Sequence, residues 1–251
     1  MSLSLFRANI ASVALIAVLA CSACFAEPVR VVTEEFSPYN MTVNGRVTGM
    51  STELVEAMLK QAGLQGSIQS MPWARAYDMA LNEDSVLIYS MTRNAEREHL
   101  FNWVGSLVHT HTNIYSAAIH PIRLHNLDDA RSYQIGTVKE DVGEQFLVSK
   151  HFEVGRNIQS SNKYEFNYEK LKSGHVDLWI SDERNAFYLA RQAGDDPDKI
   201  LVRSLPIDEL GDDLNVAFSL NTPPQLVERC RQALVQLHRN GTYDAIVGRW
   251  L

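Results

Sequence analysis

From Val29 onward the chain alternates short runs of β-branched residues with stretches whose apolar residues recur at helical spacing. The run 29–33 is typical of a strand, and 50–62 carries apolar residues along one helix face. This alternation favours an α/β fold with mostly parallel sheets flanked by helices, because parallel strands need crossover connections. Further strands are predicted at 67–71, 86–91, 114–119, 134–138, 177–181, 200–204 and 214–220, and further helices at 72–81, 95–101, 142–152, 163–173 and 182–193.

Two polar, extended stretches mark the places where the chain can cross between two lobes. The first covers 109–119, and the second, which is rich in Asp, covers 206–213. A chain of 251 residues is long enough for two lobes of this kind. We predict lobe 1 at 27–110 plus 209–251, lobe 2 at 115–205, and hinge crossings near 111–120 and 205–212.

Composition excludes several classes of protein. Hydrophobic residues make up 45% of the chain and charged residues 21%, which argues against a disordered or low-complexity protein. The 30 acidic residues outnumber the 23 basic ones and give a formal net charge of −7. Because nucleic-acid-binding proteins usually present a basic face, we expect no nucleic-acid partner.

The first 26 residues are typical of a secretory signal peptide. Arg7 is their only charge, 10–20 is an apolar run, and small residues precede the end at Cys24 and Ala26. We predict cleavage after Ala26, which gives a periplasmic protein. The alternatives are a buried N-terminal helix and a lipid-anchored form at Cys21. After cleavage Cys230 is the remaining cysteine, and its apolar helical neighbours predict a core position.

Residues that follow strands are the first candidates for a site, because ligands of open α/β sheets bind beyond the carboxyl ends of strands. The segment after 86–91 holds hydroxyls at Ser90 and Thr92, the amide of Asn94 and the guanidiniums of Arg93 and Arg97. A guanidinium grips a carboxylate with two parallel hydrogen bonds, so this segment is a candidate anion site. The alternative is a solvated helix face on which the two arginines balance neighbouring glutamates.

Other strand ends supply a carboxylate and aromatic rings. Asp182 opens a predicted helix, where it can serve as an N-cap or face a ligand ammonium. Phe36 and Tyr39 lie in the loop after the first strand, and Trp73 lies in the loop after the second predicted strand. Aromatic residues in such loops plug the core or form the walls of small-ligand pockets.

Signatures of catalysis and metal binding are missing from the sequence. It has no glycine-rich phosphate loop, no Gly-x-Ser-x-Gly elbow and no His-Glu-x-x-His helix. His109 and His111 would share one strand face, but two ligands without a third do not predict a metal site. We predict neither a cofactor nor a metal.

The order of these segments resembles the bacterial extracellular solute-binding proteins of family 3, the polar amino-acid binders of ABC importers. The likeness covers essentially the whole mature chain, 27–251. Its segments are Phe-Ser-Pro-Tyr at 36–39, Gly-Met-Ser-Thr-Glu-Leu-Val at 49–55, Ser-Met-Thr-Arg-Asn-Ala-Glu-Arg-Glu at 90–98, Phe-Asn-Trp-Val-Gly at 101–105 and Gly-His-Val-Asp-Leu-Trp-Ile-Ser-Asp at 174–182.

The resemblance implies a two-lobed, hinged clam of the type II periplasmic-binding-protein kind. It also implies that Ser90, Thr92 and Arg97 hold the ligand carboxylate and that Asp182 receives the α-ammonium. An aromatic residue of the first loop, Phe36 or Tyr39, would pack on the ligand.

Two departures from the family pattern concern the ligand. The family usually has Thr where this chain has Asn94, and a Gly-Thr-Thr helix start where this chain has Glu140, Asp141 and Val142. Acidic groups at that helix start repel a carboxylate. Asp141 is therefore a candidate ligand contact, and the ligand is predicted to differ from a plain α-amino acid or to carry extra positive charge.

The leading functional hypothesis is a monomeric periplasmic receptor that delivers an amino acid or similar zwitterion to the permease of an ABC importer. One alternative is a dehydratase of the cyclohexadienyl dehydratase type on the same fold, with Glu140 or Asp141 as general acid. A second alternative is a sensory ligand-binding module.

Overall fold

The computed structural model of this protein describes residues 28–210 and 213–250. The predicted signal segment 1–26 and its cleavage site lie outside the described residues. The strands in chain order are β1 (Val29–Thr33), β2 (Met41–Val43), β3 (Arg46–Thr48), β4 (Gly66–Ser70), β5 (Val86–Thr92), β6 (Phe101–His109), β7 (Thr112–Ala117), β8 (Ile135–Val138), β9 (Ile158–Ser161), β10 (Leu178–Asp182), β11 (Leu201–Pro206) and β12 (Asp213–Ser219).

The helices pack on the two main sheets and on each other. They are α1 (Met50–Gln61), α2 (Trp73–Asn82), α3 (Val142–Ser149), α4 (Tyr164–Lys172), α5 (Glu183–Gln192), α6 (Pro197–Ile200), α7 (Pro224–Arg239) and α8 (Thr242–Val247). Helices α1, α2, α7 and α8 pack on the first sheet or on each other, whereas α3, α4 and α5 pack on the second. The apolar stripe of α7 includes Cys230, which is fully buried, so the predicted core position is confirmed.

Each main sheet has one reversed strand. The first sheet has the order β4-β1-β5-β12-β6, and β12 runs antiparallel to both β5 and β6. The second has the order β11-β7-β10-β8-β9, and β7 runs antiparallel to both β11 and β10. The remaining four strands of each sheet share one direction. The predicted α/β clam with mostly parallel sheets is confirmed.

The two reversed strands are those that directly follow a crossing. The chain leaves the first sheet after His109 and enters the second as β7, then leaves the second after Pro206 and returns as β12. The second sheet is therefore built from one continuous segment, and the first sheet from two.

One predicted helix is wrong. Residues 95–100 form turns, and the chain from Phe101 to His109 is strand β6, at one edge of the first sheet. Strand β6 was not predicted, because its apolar residues at 101, 103, 104, 107 and 108 do not alternate strictly with polar ones. Strand β6 pairs with β12 along its whole length, and this pairing stabilises the extended conformation.

The small hairpin of β2 and β3 was not predicted, although its turn is visible in the sequence. Asn44 and Gly45 join the strands, and both have positive φ, 51° and 78°. Asn-Gly is the preferred pair for a two-residue turn of this kind, because these residues adopt positive φ readily. Among the described residues no helix is both long and apolar enough to cross a membrane.

Candidate functional site

A cavity lies between the two sheets and is lined by residues from both. It has a volume of about 510 Å³, including space that opens to solvent. Lobe 1 contributes residues from the ends of β1 and β5, and lobe 2 contributes the starts of α3, α4 and α5. The lining residues are Glu34, Phe36, Trp73, Ser90, Thr92, Arg97, Thr110, Thr112, Asp141, Val142, Gly143, Tyr164, Ile180, Ser181, Asp182 and Leu214.

Arg97 is the one cationic side chain in this lining, and it is 1% exposed. Its Nη1 donates to the carbonyl oxygen of Thr92 at 3.2 Å, and its Nη2 donates to Oε1 of Gln145 at 2.9 Å. The guanidinium lies 5.5 Å from the ring centre of Trp73 and 5.0 Å from that of Tyr77. Burial lowers the pKa of Arg97, but arginine remains charged. The interpretation of Arg97 as a solvated surface residue is therefore wrong.

Arg93 and Asn94 do not line the cavity. Arg93 is exposed, forms an ion pair with Glu98 at 2.6 Å and stacks over Trp103. Residues 95–100 form turns and not an α-helix, so the four-residue spacing does not place the two arginines on one face. Oδ1 of Asn94 accepts a hydrogen bond from the backbone N–H of Arg97 at 3.0 Å, which holds this turn in place.

Asp182 is both a helix cap and a member of the cavity wall. One oxygen, Oδ1, accepts from the backbone N–H of Asn185 at 3.0 Å, as an N-cap does. The same oxygen accepts from the hydroxyl of Tyr39 at 2.7 Å, and Oδ2 accepts from the N–H of His111 at 3.1 Å. Asp182 is 6% exposed, and burial raises its pKa, although these hydrogen bonds oppose the rise.

The aromatic residues of the loops connect the two lobes. Phe36 stacks on Tyr164 of α4 with ring centres 4.6 Å apart. Trp73 donates from Nε1 to the carbonyl oxygen of Glu140 at 2.8 Å. Phe36 and Trp73 line the cavity, whereas Tyr39 is fully buried behind it and reaches the site through Asp182.

Of the two acidic residues that precede α3 in lobe 2, only Asp141 lines the cavity. Asp141 is 5% exposed and caps α3, since Oδ1 accepts from the N–H of Glu144 at 2.7 Å. Its Oδ2 accepts from the hydroxyl of Tyr164 at 3.2 Å. Burial raises the pKa of Asp141 to about 7. The side chain of Glu140 is exposed and does not line the cavity.

Sequence reasoning missed Glu34, Tyr164 and Gln145. Glu34 follows β1 directly and is 5% exposed. Burial, followed by the charge of Asp141, raises the pKa of Glu34 well above its usual value. Its position directly after a strand is the sequence signal that points to Glu34.

The hydroxyls at the end of β5 face the same space. Thr92 and Ser90 both line the cavity, and Oγ of Ser90 is buried without a hydrogen-bond partner in the described part of the chain. Ser90 has φ of 59°, a conformation that non-glycine residues adopt rarely and that is concentrated at functional sites.

The described residues contain no group of three or more side chains suited to hold a metal ion. The rings of His109 and His111 are in contact, with their centres 4.8 Å apart. Nδ1 of His109 lies 3.1 Å from Oδ1 of Asp213.

Comparison of the sequence with known proteins identifies one family. A family model for bacterial extracellular solute-binding proteins, family 3, matches residues 29–251. The arginine-binding extracellular protein ArtP of Bacillus subtilis (strain 168) is 20% identical over 227 residues, which cover 86% of this chain and 82% of that protein.

Solved structures share the fold. A structure of an ancestral arginine-binding protein bound to arginine has a TM-score of 0.78 at 21% identity, covering 89% of this chain and 98% of that one. A structure of an ancestral arginine-binding protein bound to glutamine has a TM-score of 0.76 at 21% identity, covering 89% and 97%. At such identities the likeness establishes the fold alone.

Proposed function

Because this chain belongs to the bacterial extracellular solute-binding proteins of family 3, we propose that it captures an amino acid or a similar small polar ligand between its lobes. We also propose that it delivers this ligand to the permease of an ABC importer. One observation carries the proposal. A buried guanidinium from lobe 1, Arg97, and a buried carboxylate from lobe 2, Asp182, line the same cavity.

These two groups suit the two ends of a zwitterion. The guanidinium of Arg97 takes the ligand carboxylate, with the hydroxyls of Ser90 and Thr92 as further donors. Asp182 accepts three hydrogen bonds from the protein. An ionised carboxylate can accept about four, so one position remains for an ammonium. Phe36 and Trp73 supply the apolar walls that exclude water.

The relatives support an amino acid but do not specify its side chain. ArtP is an arginine-binding protein, and structures of an ancestral arginine-binding protein hold arginine in one case and glutamine in the other. The proposal includes export to the periplasm, for which the predicted signal segment 1–26 and the extracellular family are the support.

Thermal unfolding of the mature chain, 27–251, with each common amino acid tests the proposal. A ligand present at about 100 times its Kd stabilises the protein by about 2.7 kcal/mol. For a chain of this size that corresponds to a rise in Tm of roughly 5–10 °C. At least one amino acid is expected to produce such a rise, and a flat result across the panel would count against an amino-acid receptor.

A dehydratase is the second candidate function, and Asp141 is the observation that favours it. A general acid should have a pKa near the working pH, and burial raises the pKa of Asp141 to about 7. Glu140 is exposed and does not line the cavity, so Asp141 is the candidate for this role. Incubation of the purified protein with prephenate or arogenate separates the two functions. A receptor leaves both compounds unchanged, whereas formation of the aromatic product would favour the dehydratase.

A further inference from the structure

We propose that the ligand carries a second cationic group, an ammonium or guanidinium on its side chain, which lies between the carboxylates of Glu34 and Asp141. The inference rests on the proposed function and names the class of ligand, an amino acid with net positive charge.

The charges of the cavity are the first support. Three carboxylates line it, those of Glu34, Asp141 and Asp182, against the single guanidinium of Arg97. A ligand carboxylate and α-ammonium would occupy Arg97 and Asp182, one of each sign. Two buried carboxylates then remain without a cation. Buried charges are costly unless they are paired, so the cavity favours a ligand that brings one more positive charge.

Glu34 is the second and independent support. It is 5% exposed and lines the cavity. Within residues 28–210 and 213–250, its carboxylate accepts no hydrogen bond and forms no ion pair, whereas its backbone oxygen accepts from Asn40. A nine-tenths buried carboxylate without a partner leaves all its acceptor positions free for donors on a ligand.

Asp141 provides the opposite wall. A helix N-terminus attracts anions through its free N–H groups. At α3, however, the carboxylate of Asp141 already accepts from the N–H of Glu144. The start of α3 therefore presents a negative side chain to the cavity, and a ligand carboxylate is left to Arg97. A cation near Asp141 meets a carboxylate whose orientation is fixed by the cap and by Tyr164.

Binding of a cation should also be coupled to protons. Burial raises the pKa of both carboxylates, to about 7 for Asp141. The protonated form of Asp141 cannot pair with a cation, so affinity is expected to rise with pH and binding to release a proton. The charged and titratable groups that act on the pair are Arg97, Glu35, Glu144, Tyr164 and Glu165.

Titration calorimetry with L-arginine, L-lysine, L-citrulline and L-glutamine tests the inference. Citrulline has nearly the shape of arginine without its side-chain charge. Arginine or lysine is expected to bind at least about 30-fold more tightly than its neutral counterpart, the low end of the effect of a buried charge pair. If a neutral amino acid binds equally well or better, the inference fails while the proposed function stands. If no amino acid binds, the proposed function fails as well.

Isosteric variants test whether Glu34 and Asp141 bind the cationic side chain of the ligand. Glu34→Gln and Asp141→Asn remove one charge each with little change of shape, and Asn preserves the helix cap. Each is expected to weaken binding of L-arginine at least about tenfold, and to reduce the preference for arginine over citrulline. Glu140→Gln is the matched control, because it removes the neighbouring charge outside the cavity. An equal effect of the control would show that general charge, and not this site, attracts the cation.

The pH dependence gives a second measurement. If one group with a pKa of about 7 must be ionised, affinity for L-arginine should rise about tenfold between pH 6 and pH 8. Asp141→Asn should reduce this rise, and any rise that remains in the variant reports on Glu34, whose pKa is also raised. A wild-type affinity that is constant over this range would contradict the inference.

Discussion

Arg97→Ala is expected to lower affinity for L-arginine at least about 30-fold, and to lower stability as well. Truncating one member of a buried charge pair typically costs about 2–5 kcal/mol. Because the side chain is 1% exposed and its guanidinium bonds to Thr92 and Gln145, the variant also loses packing and two hydrogen-bonded contacts. Calorimetry with L-arginine measures the first effect, and thermal unfolding without ligand measures the second.

Arg93→Ala is the matched control for this variant. It removes the same side chain four residues earlier, where the guanidinium is exposed and paired with Glu98. Surface pairs of this kind contribute about 0–1 kcal/mol, so affinity and stability should change little. If both variants bind L-arginine as the wild type does, Arg97 serves the fold and the anion site lies elsewhere.

Asp182→Ala is expected to weaken binding by a similar factor and to prevent ligand-induced compaction. A ligand that touches Arg97 in lobe 1 and Asp182 in lobe 2 draws the lobes together, provided that the closed form binds it more tightly. Small-angle scattering of the wild type should therefore show a smaller radius of gyration with saturating L-arginine. The variant should show little change at the same concentration.

Asp196→Ala controls for the loss of a helix cap. Asp196 caps α6, where its side chain accepts from the N–H of Asp198, and it does not line the cavity. Loss of a cap costs about 1 kcal/mol. Asp182→Ala should destabilise the protein more, because it also leaves the hydroxyl of Tyr39 without its acceptor. If Asp182→Ala is less stable but binds L-arginine and compacts as the wild type does, Asp182 serves only as a helix cap.

The sequence predicts most of the sheet framework because strands such as β5 and β10 are short apolar runs bounded by polar residues. It also predicts that Asp182 begins a helix, since capping is a local property. Strand β6 was not predicted, because its formation depends on pairing with β12, which is more than one hundred residues later in the chain.

In the candidate site, too, local features can be predicted from the sequence, whereas contacts between distant residues cannot. The local motif marks Arg97 as a candidate, but its burial against Trp73 and Tyr77 depends on the packing of α2. Gln145, which is 48 residues away and in the other lobe, carries no signal of its contact with Arg97. Tyr164 likewise stacks on Phe36 only when the lobes are brought together, whereas its contact with Asp141 lies within lobe 2.

The position of β12 has a consequence for the order in which the chain can fold. All five strands of the second sheet precede β12 in the chain, whereas β12 lies between β5 and β6 in the first sheet. During synthesis the second sheet can be completed while β6 still lacks its neighbour, since β12 is the strand that pairs with β6 in the described part of the chain. Lobe 1, whose first strands are synthesised before those of lobe 2, can therefore be completed only after lobe 2. In a chain that stops before Asp213, the edges of β5 and β6 that pair with β12 would remain unpaired. Unpaired strand edges of this kind promote aggregation.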